Sequence, residues 1–178
     1  MDRLVAFDPN TEVIGYTLTS FRDCLTHEEV EPLVHAHGID SIDPNRWYSQ
    51  QIWLDVLTDV MDQPNSTENL VASSMKLAKK IIFPASVTTV QAALAGGSTA
   101  YQKNHRNGDP GYVTCEDIDE RHVRLMISTP YPDDFIYGTR YGYARRFLTD
   151  HSTLRVYRSN WVHYRQPEDP PLVLDVQW

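Results

Sequence analysis

The feature that most constrains this chain is a change of period between residues 121 and 147. The run RHVRLMIS alternates, placing Val123, Leu125 and Ile127 on one face of a strand and His122 and Arg124 on the other. TPYP follows, and each proline holds the residue before it extended. Asp133 and Asp134 then open a helix that Arg145 and Arg146 close, each charge lying at the dipole end that attracts it. Tyr112 to Asp117 also alternates and is separated from this strand by residues 118–120, so the two segments predict a β-hairpin. Leu154 and Val156, then Leu172, Leu174, Val176 and Trp178, predict a second hairpin. Its connecting segment, QPEDPP over 166–171, reads as a mobile loop. The C-terminal half is therefore hairpin, helix, hairpin.

The N-terminal half is helical by period. Val13 to Leu18 has two readings that stay open, a short strand or the first turn of a helix running on through Phe21 and Leu25. Thr26 and Glu29 have capping-box spacing, and Pro32 asks for a short or kinked helix ending at Gly38. Pro44 behind Asp43 predicts a helix over about 45–61 with Trp53, Leu57, Val60 and Met61 inward and Gln50, Gln51, Asp55 and Asp59 outward. Asn65 and Glu68 cap a third helix whose stripe is Leu70, Val71, Ser74, Leu77, Ala78, Ile81 and Ile82, stopped by Pro84. A fourth spans 86–104 with Val87, Val90, Ala93, Leu94 and Tyr101 on its apolar side. Gly96 and Gly97 in its middle imply a kink, close packing, or backbone bared to a ligand.

Charge and length exclude several classes. A net charge of −8 opposes binding to a phosphate backbone, so no nucleic-acid partner is expected. No apolar run approaches the ~18 residues of a membrane span, and MDRLVAFDPN lacks the apolar core of a signal peptide. Cys24 and Cys115, the two cysteines, make no disulfide framework and suit a cytoplasmic setting. His35 and His37, two apart, diverge on a helix, and the cysteines lack zinc-site spacing, so no metal or cofactor is expected. The expected organisation is one domain over 1–178.

The chemistry-bearing residues fall into two groups. Ten tyrosines and four tryptophans are many for 178 residues and suit an aromatic-walled pocket. The wall candidates are Trp47, Trp53, Tyr101, Tyr131, Phe135 and Tyr143, with His105 and Arg106 as polar handle. Lys103, His105 and Arg106 beside Asn104, Asn107 and Asp109 form a basic turn, which either binds an anion or simply caps the helix before it. The second group lies on the 133–149 helix. Gly138 and Gly142, four apart, leave one face nearly bare, which permits close approach by another element of the chain or by a partner subunit. Tyr137, Tyr141 and Arg145 share another face, suited to a homodimer or other protein partner. Pairings for acid–base work are His105 with Asp109 and Tyr112, and Tyr131 with Asp133 and Asp134. Neither carries a motif that fixes a reaction, so no catalytic residue is assigned.

The segment HVRLMISTPYPDDFIYGTRYGYARRFLTDHSTLRVYRS resembles the H-NOX and 4-vinyl-reductase-type ligand-binding fold, also used by the TRAPP small subunits. The resemblance implies an α+β fold, with about four N-terminal helices packed on a four- to five-stranded, mainly antiparallel sheet. Haem-binding members carry Tyr-x-Ser-x-Arg where this chain has Leu125-Met-Ile-Ser-Thr129, and their proximal histidine falls near Ala95. The resemblance thus implies a haem-less, non-catalytic domain that senses or binds a small, partly apolar molecule. A scaffold or oligomerisation subunit using the 133–149 helix is the alternative, and an enzyme the second alternative.

Overall fold

The computed structural model describes residues 3–24, 27–64, 66–149 and 153–178. Both readings of the first segment are realised. Strand β1 (Glu12–Ile14) gives way directly to helix α1 (Gly15–Arg22). The switch falls at Gly15 because a side chain there would collide with the Asp43 carbonyl and the Tyr48 ring. Helix α2 (His27–Ala36) carries Pro32 within it and turns at Gly38, where φ is 75°. The predicted caps at Thr26 with Glu29, and at Asn65 with Glu68, lie outside the described residues and side chains.

The second predicted helix is corrected at its start. Asp43 and Pro44 form a turn, in which the Asn45 N–H donates to Asp43 Oδ1 at 2.8 Å, and no helix follows it. Residues Trp47–Ser49 are a strand, β2, and helix α3 runs only over Gln50–Met61. Gln50, expected outward, is fully buried at the helix start, its N–H donating to the Thr11 carbonyl at 2.9 Å. Helix α4 (Ser66–Lys80) buries Leu70, Ser74, Leu77 and Ala78, but it ends before Ile82. Released from the helical phase, Ile82 stands 85% exposed instead of completing the stripe. Helix α5 (Val90–Lys103) begins later than expected, because Thr89 accepts from the Ala92 N–H and caps it there.

The strands form two antiparallel sheets. A small one has the order β2-β1-β3, with β3 being His105–Arg106. The larger contains β4 (Tyr112–Asp119), β5 (His122–Ser128), β6 (Arg155–Ser159) and β7 (Leu172–Gln177) in the order β4-β5-β7-β6. Its inner face is set by register: Val123 opposes Val176, Leu125 opposes Leu174, and Ile127 opposes Leu172, all six buried. The fold is α+β, with a helical N-terminal half and an antiparallel C-terminal half, as the pattern requires.

Helix α6 (Asp133–Phe147) sits between the two hairpins and packs on α4 and α5. Its glycine face meets α4 of the same chain. A Cβ on Gly138 would strike Ser74 Oγ and come within 2.6 Å of the Val71 carbonyl, and one on Gly142 would strike the Ala78 methyl. That face is therefore occupied inside the chain and is closed to a partner subunit. At the helix start, Asp133 and Asp134 do more than complement a dipole. Arg165, 1% exposed, donates from Nε and Nη2 to the two Asp133 oxygens at 3.0 and 2.7 Å. Arg165 also donates to the carbonyls of Asn160 and Pro170, and Arg158 pairs with Asp134 at 2.7 Å. The β6–β7 connection, expected to be mobile, is thus tied through Arg165 to the first turn of α6.

Two outcomes follow from these contacts. Asp133→Asn leaves the Arg165 charge buried and half-partnered, and urea unfolding should register a loss of about 3–5 kcal/mol. Gly142→Val forces α4 and α6 apart and should cost about 1–3 kcal/mol in the same measurement, while leaving the oligomeric state by light scattering unchanged.

Candidate functional site

Helices α1, α3, α4, α5 and α6 do not close completely on one another. Between them lies a cavity of about 280 Å³, close to the lower end of the range for small-molecule pockets. Its walls are chiefly aromatic and aliphatic: Phe21, Trp53, Leu57, Leu77, Tyr101, Tyr131, Phe135, Ile136 and Tyr143. Phe21 meets Trp53 and Phe135 edge-to-face, with centroids 5.5 and 4.8 Å apart. Tyr16 on α1 and Ile82 beyond α4, both exposed lining residues, mark the mouth.

One wall is a hydrogen-bonded network. His105 Nδ1 lies 2.7 Å from the Tyr101 carbonyl, which can only accept, so Nδ1 carries the proton. Nε2 of the neutral ring then accepts from the Tyr131 hydroxyl at 2.8 Å. Burial lowers the His105 pKa, which keeps the imidazole neutral, and only the backbone hydrogen bond opposes that shift. Burial likewise raises the phenols of Tyr131, Tyr101 and Tyr143, so all three are protonated donors. The Tyr101 hydroxyl donates to the Pro110 carbonyl at 2.5 Å. Gln50 lies beneath Tyr101 and Tyr131. Its buried amide makes no hydrogen bond of normal geometry, although its nearness eases both phenols slightly.

Of the residues singled out in the sequence, Trp53, Tyr101, His105, Tyr131, Phe135 and Tyr143 come together around the cavity. Trp47 and Arg106 do not. The β1–β3 register sets Arg106 opposite Glu12, to which its Nε donates at 2.6 Å, and its guanidinium stacks 4.5 Å from the Trp47 ring. The basic turn does not converge either, because alternation along β3 sends His105 inward and Arg106 outward. The carboxylates named for acid–base work are engaged elsewhere: Asp109 accepts from the Gly111 N–H, and Asp133 and Asp134 hold arginines. Tyr112 is exposed on β4. On α6, Tyr137 and Tyr141 are half-buried and Arg145 is exposed, with Arg158 over the Tyr137 ring.

Lining residues not expected from the sequence include Tyr16, Thr17, Phe21 and Arg140, whereas Gly97, one of the two glycines that could bare backbone to a ligand, does line the cavity. Arg140 had a signal, since it lies four residues after Ile136 and three before Tyr143, in phase with the buried side of α6. Among the described residues no carboxylate lines the cavity, and no group of three His, Cys, Asp or Glu is placed to hold a metal. The arrangement can bind and orient a small molecule through shape and donated hydrogen bonds.

The helices thus surround an aromatic-lined cavity beside the short β1–β3 ladder. By its whole course the chain has an H-NOX-like fold. It matches a Cs H-NOX mutant carrying an unnatural amino acid with a TM-score of 0.70 at 13% identity, over 92% of this chain and 95% of that one. A structure from work on haem redox potential and porphyrin distortion gives 0.66 at 12% identity, over 92% and 97%. An oxygen-binding H-NOX domain related to soluble guanylate cyclases gives 0.64 at 12%, over 92% and 91%. No family model matches the sequence, and no curated protein sequence does.

The His105 network carries a pH dependence. The folded-state pKa lies below the unfolded value of about 6.5, so its contribution to stability is complete above that value. It is lost as pH falls from there through the folded pKa, because the unfolded chain binds the proton more readily. Unfolding free energy should therefore fall between pH 7.5 and 5, and His105→Gln should reduce the fall.

Proposed function

We propose that this chain is a cytoplasmic, non-catalytic sensory domain that holds a small, partly apolar molecule between its helices, without haem. The observation that carries the reading is the aromatic-walled cavity of about 280 Å³, with protonated phenols and a neutral imidazole along one side. Support comes from the H-NOX-like fold, whose neighbours are described in terms of haem and oxygen. Fold likeness gives the container and leaves the contents to this chain's own residues.

Those residues do not suit haem. The single lining histidine, His105, has both ring nitrogens engaged, with Tyr101 and Tyr131. The three lining phenols whose pKa burial raises are poor sources of a tyrosinate ligand. Pocket-facing Gly97 on α5 offers no ligand atom. The cytoplasmic setting is supported by two free cysteines, and no helix among the described residues is long and apolar enough to cross a membrane. A second reading, a protein partner or second copy on α6, is supported by the tyrosine face left outside the α4 contact. Tyr137 and Tyr141 there lie 6.2 Å apart, beside Arg145.

The test uses small neutral aromatics. Indole at a hundredfold excess over its Kd should stabilise the protein by about 2.7 kcal/mol and change Trp53 fluorescence. Leu57→Trp, which fills the cavity, should abolish both effects while the far-ultraviolet circular dichroism is kept. Incubation with hemin should give no stoichiometric Soret band. Such a band, or indole binding undiminished by Leu57→Trp, would sink the reading.

A further inference from the structure

The cavity holds one group that the fold leaves without a counterpart. Arg140 is 4% exposed, and among the described residues it makes no hydrogen bond or ion pair. Its Nε is buried and unpartnered, and its guanidinium lies over the face of Tyr143, 5.5 Å from the ring centroid. Near its head lie the phenols of Tyr143 and Tyr101 and the thiol of Cys115, all neutral at pH 7, and no carboxylate is among them. The other buried guanidinium among the described residues is treated differently: Arg165 is held by Asp133 and two carbonyls. The backbone has also made room for the Arg140 head, since a Cβ on Gly97 would occupy the place of its Nη1. A second lining atom, Thr17 Oγ1 on α1, is buried and unpartnered too.

An unpaired buried charge is one of the costliest features a core can contain. A chain that builds a glycine notch around it, inside a cavity, has placed it for something that arrives from outside. We propose that the ligand is an organic monocarboxylate, with an apolar, ring-sized body against Phe21, Trp53 and Phe135 and its carboxylate paired with Arg140. This rests on the ligand-binding reading above and names the ligand class. A planar guanidinium matches a carboxylate bidentately. One cation selects one negative charge: a phosphate monoester, at about −1.5 to −2 near neutral pH, would bring uncompensated charge into an apolar site. Thr17 Oγ1, unpartnered in the same cavity, supplies a further donor.

The probes are 3-phenylpropanoate, its neutral amide 3-phenylpropanamide, phenyl phosphate and inorganic phosphate, each measured by calorimetry and thermal shift at pH 7.5. The acid should bind about ten- to a hundredfold more tightly than the amide, the range of a charge-assisted bidentate pair. Arg140→Met should erase that preference while leaving amide binding intact and the unliganded melting temperature unchanged or higher, because it removes an unpaired buried charge. Gly97→Ala, which displaces the guanidinium without removing it, should weaken the acid selectively. Equal binding of acid and amide, or a preference that survives Arg140→Met, would overturn the proposal while leaving a ligand pocket in place. Phosphate or phenyl phosphate binding as tightly as the acid would overturn the monocarboxylate assignment. Should none of the four probes bind while indole does, the anion proposal falls alone; should indole fail as well, the pocket reading falls with it.

Discussion

The approach of α6 to α4 is the contact on which the arrangement depends. Gly138 and Gly142 let the helices meet with side chains of one against backbone of the other. Because α6 is held so close on that side, its remaining faces are committed. Ile136, Arg140 and Tyr143 turn toward α1, α3 and α5, where they become cavity wall. Asp133 and Asp134 at its start are gripped by Arg165 and Arg158 from the second hairpin. One helix is thus fixed by close packing along its length and by ion pairs at its end. The cavity is the space left where the other helices cannot reach that rigid wall.

Much of this was legible in the chain, and the failures have physical reasons. The period change at residues 121–147 placed β5 and α6 because alternation, proline geometry and end charges agree there, and alternation alone placed the other strands of the two hairpins. Six of the eight pocket candidates lie together: helical phase turns the rings of Trp53, Tyr101, Phe135 and Tyr143 inward, and His105 and Tyr131 join them through the hydrogen bond between them. Trp47 and Arg106 failed because the small sheet is built from strands of two and three residues, too short to show a period. The same shortness hid the true start of α3 and turned Gln50 inward. Arg140 was passed over because a lone arginine in a helix ordinarily signals a solvated face. Only the neighbours in space, and the lack of any acid among them, show that it is inside.

The H-NOX-like frame and the pocket within it are built from different residues. At 12–13% identity to the H-NOX structures named above, the likeness lies in the course of the chain, matched over 92% of its length. That course of chain here encloses a neutral imidazole bonded to a phenol, a ring-lined volume and one guanidinium. The residues that set the frame are mostly small or aliphatic, and those that set the contents are aromatic or charged, so the two sets can diverge separately.

His105 belongs to two structures at once. Through its backbone it is a rung of the β1–β3 ladder opposite Val13, and through Nε2 it is a cavity wall bonded to Tyr131. On the far side of the same ladder β1 meets β2 and continues into α1, whose Tyr16 and Thr17 line the cavity. Wall and rim are therefore joined through one short sheet, so a ligand that presses on the imidazole presses on the same ladder from which the rim helix starts.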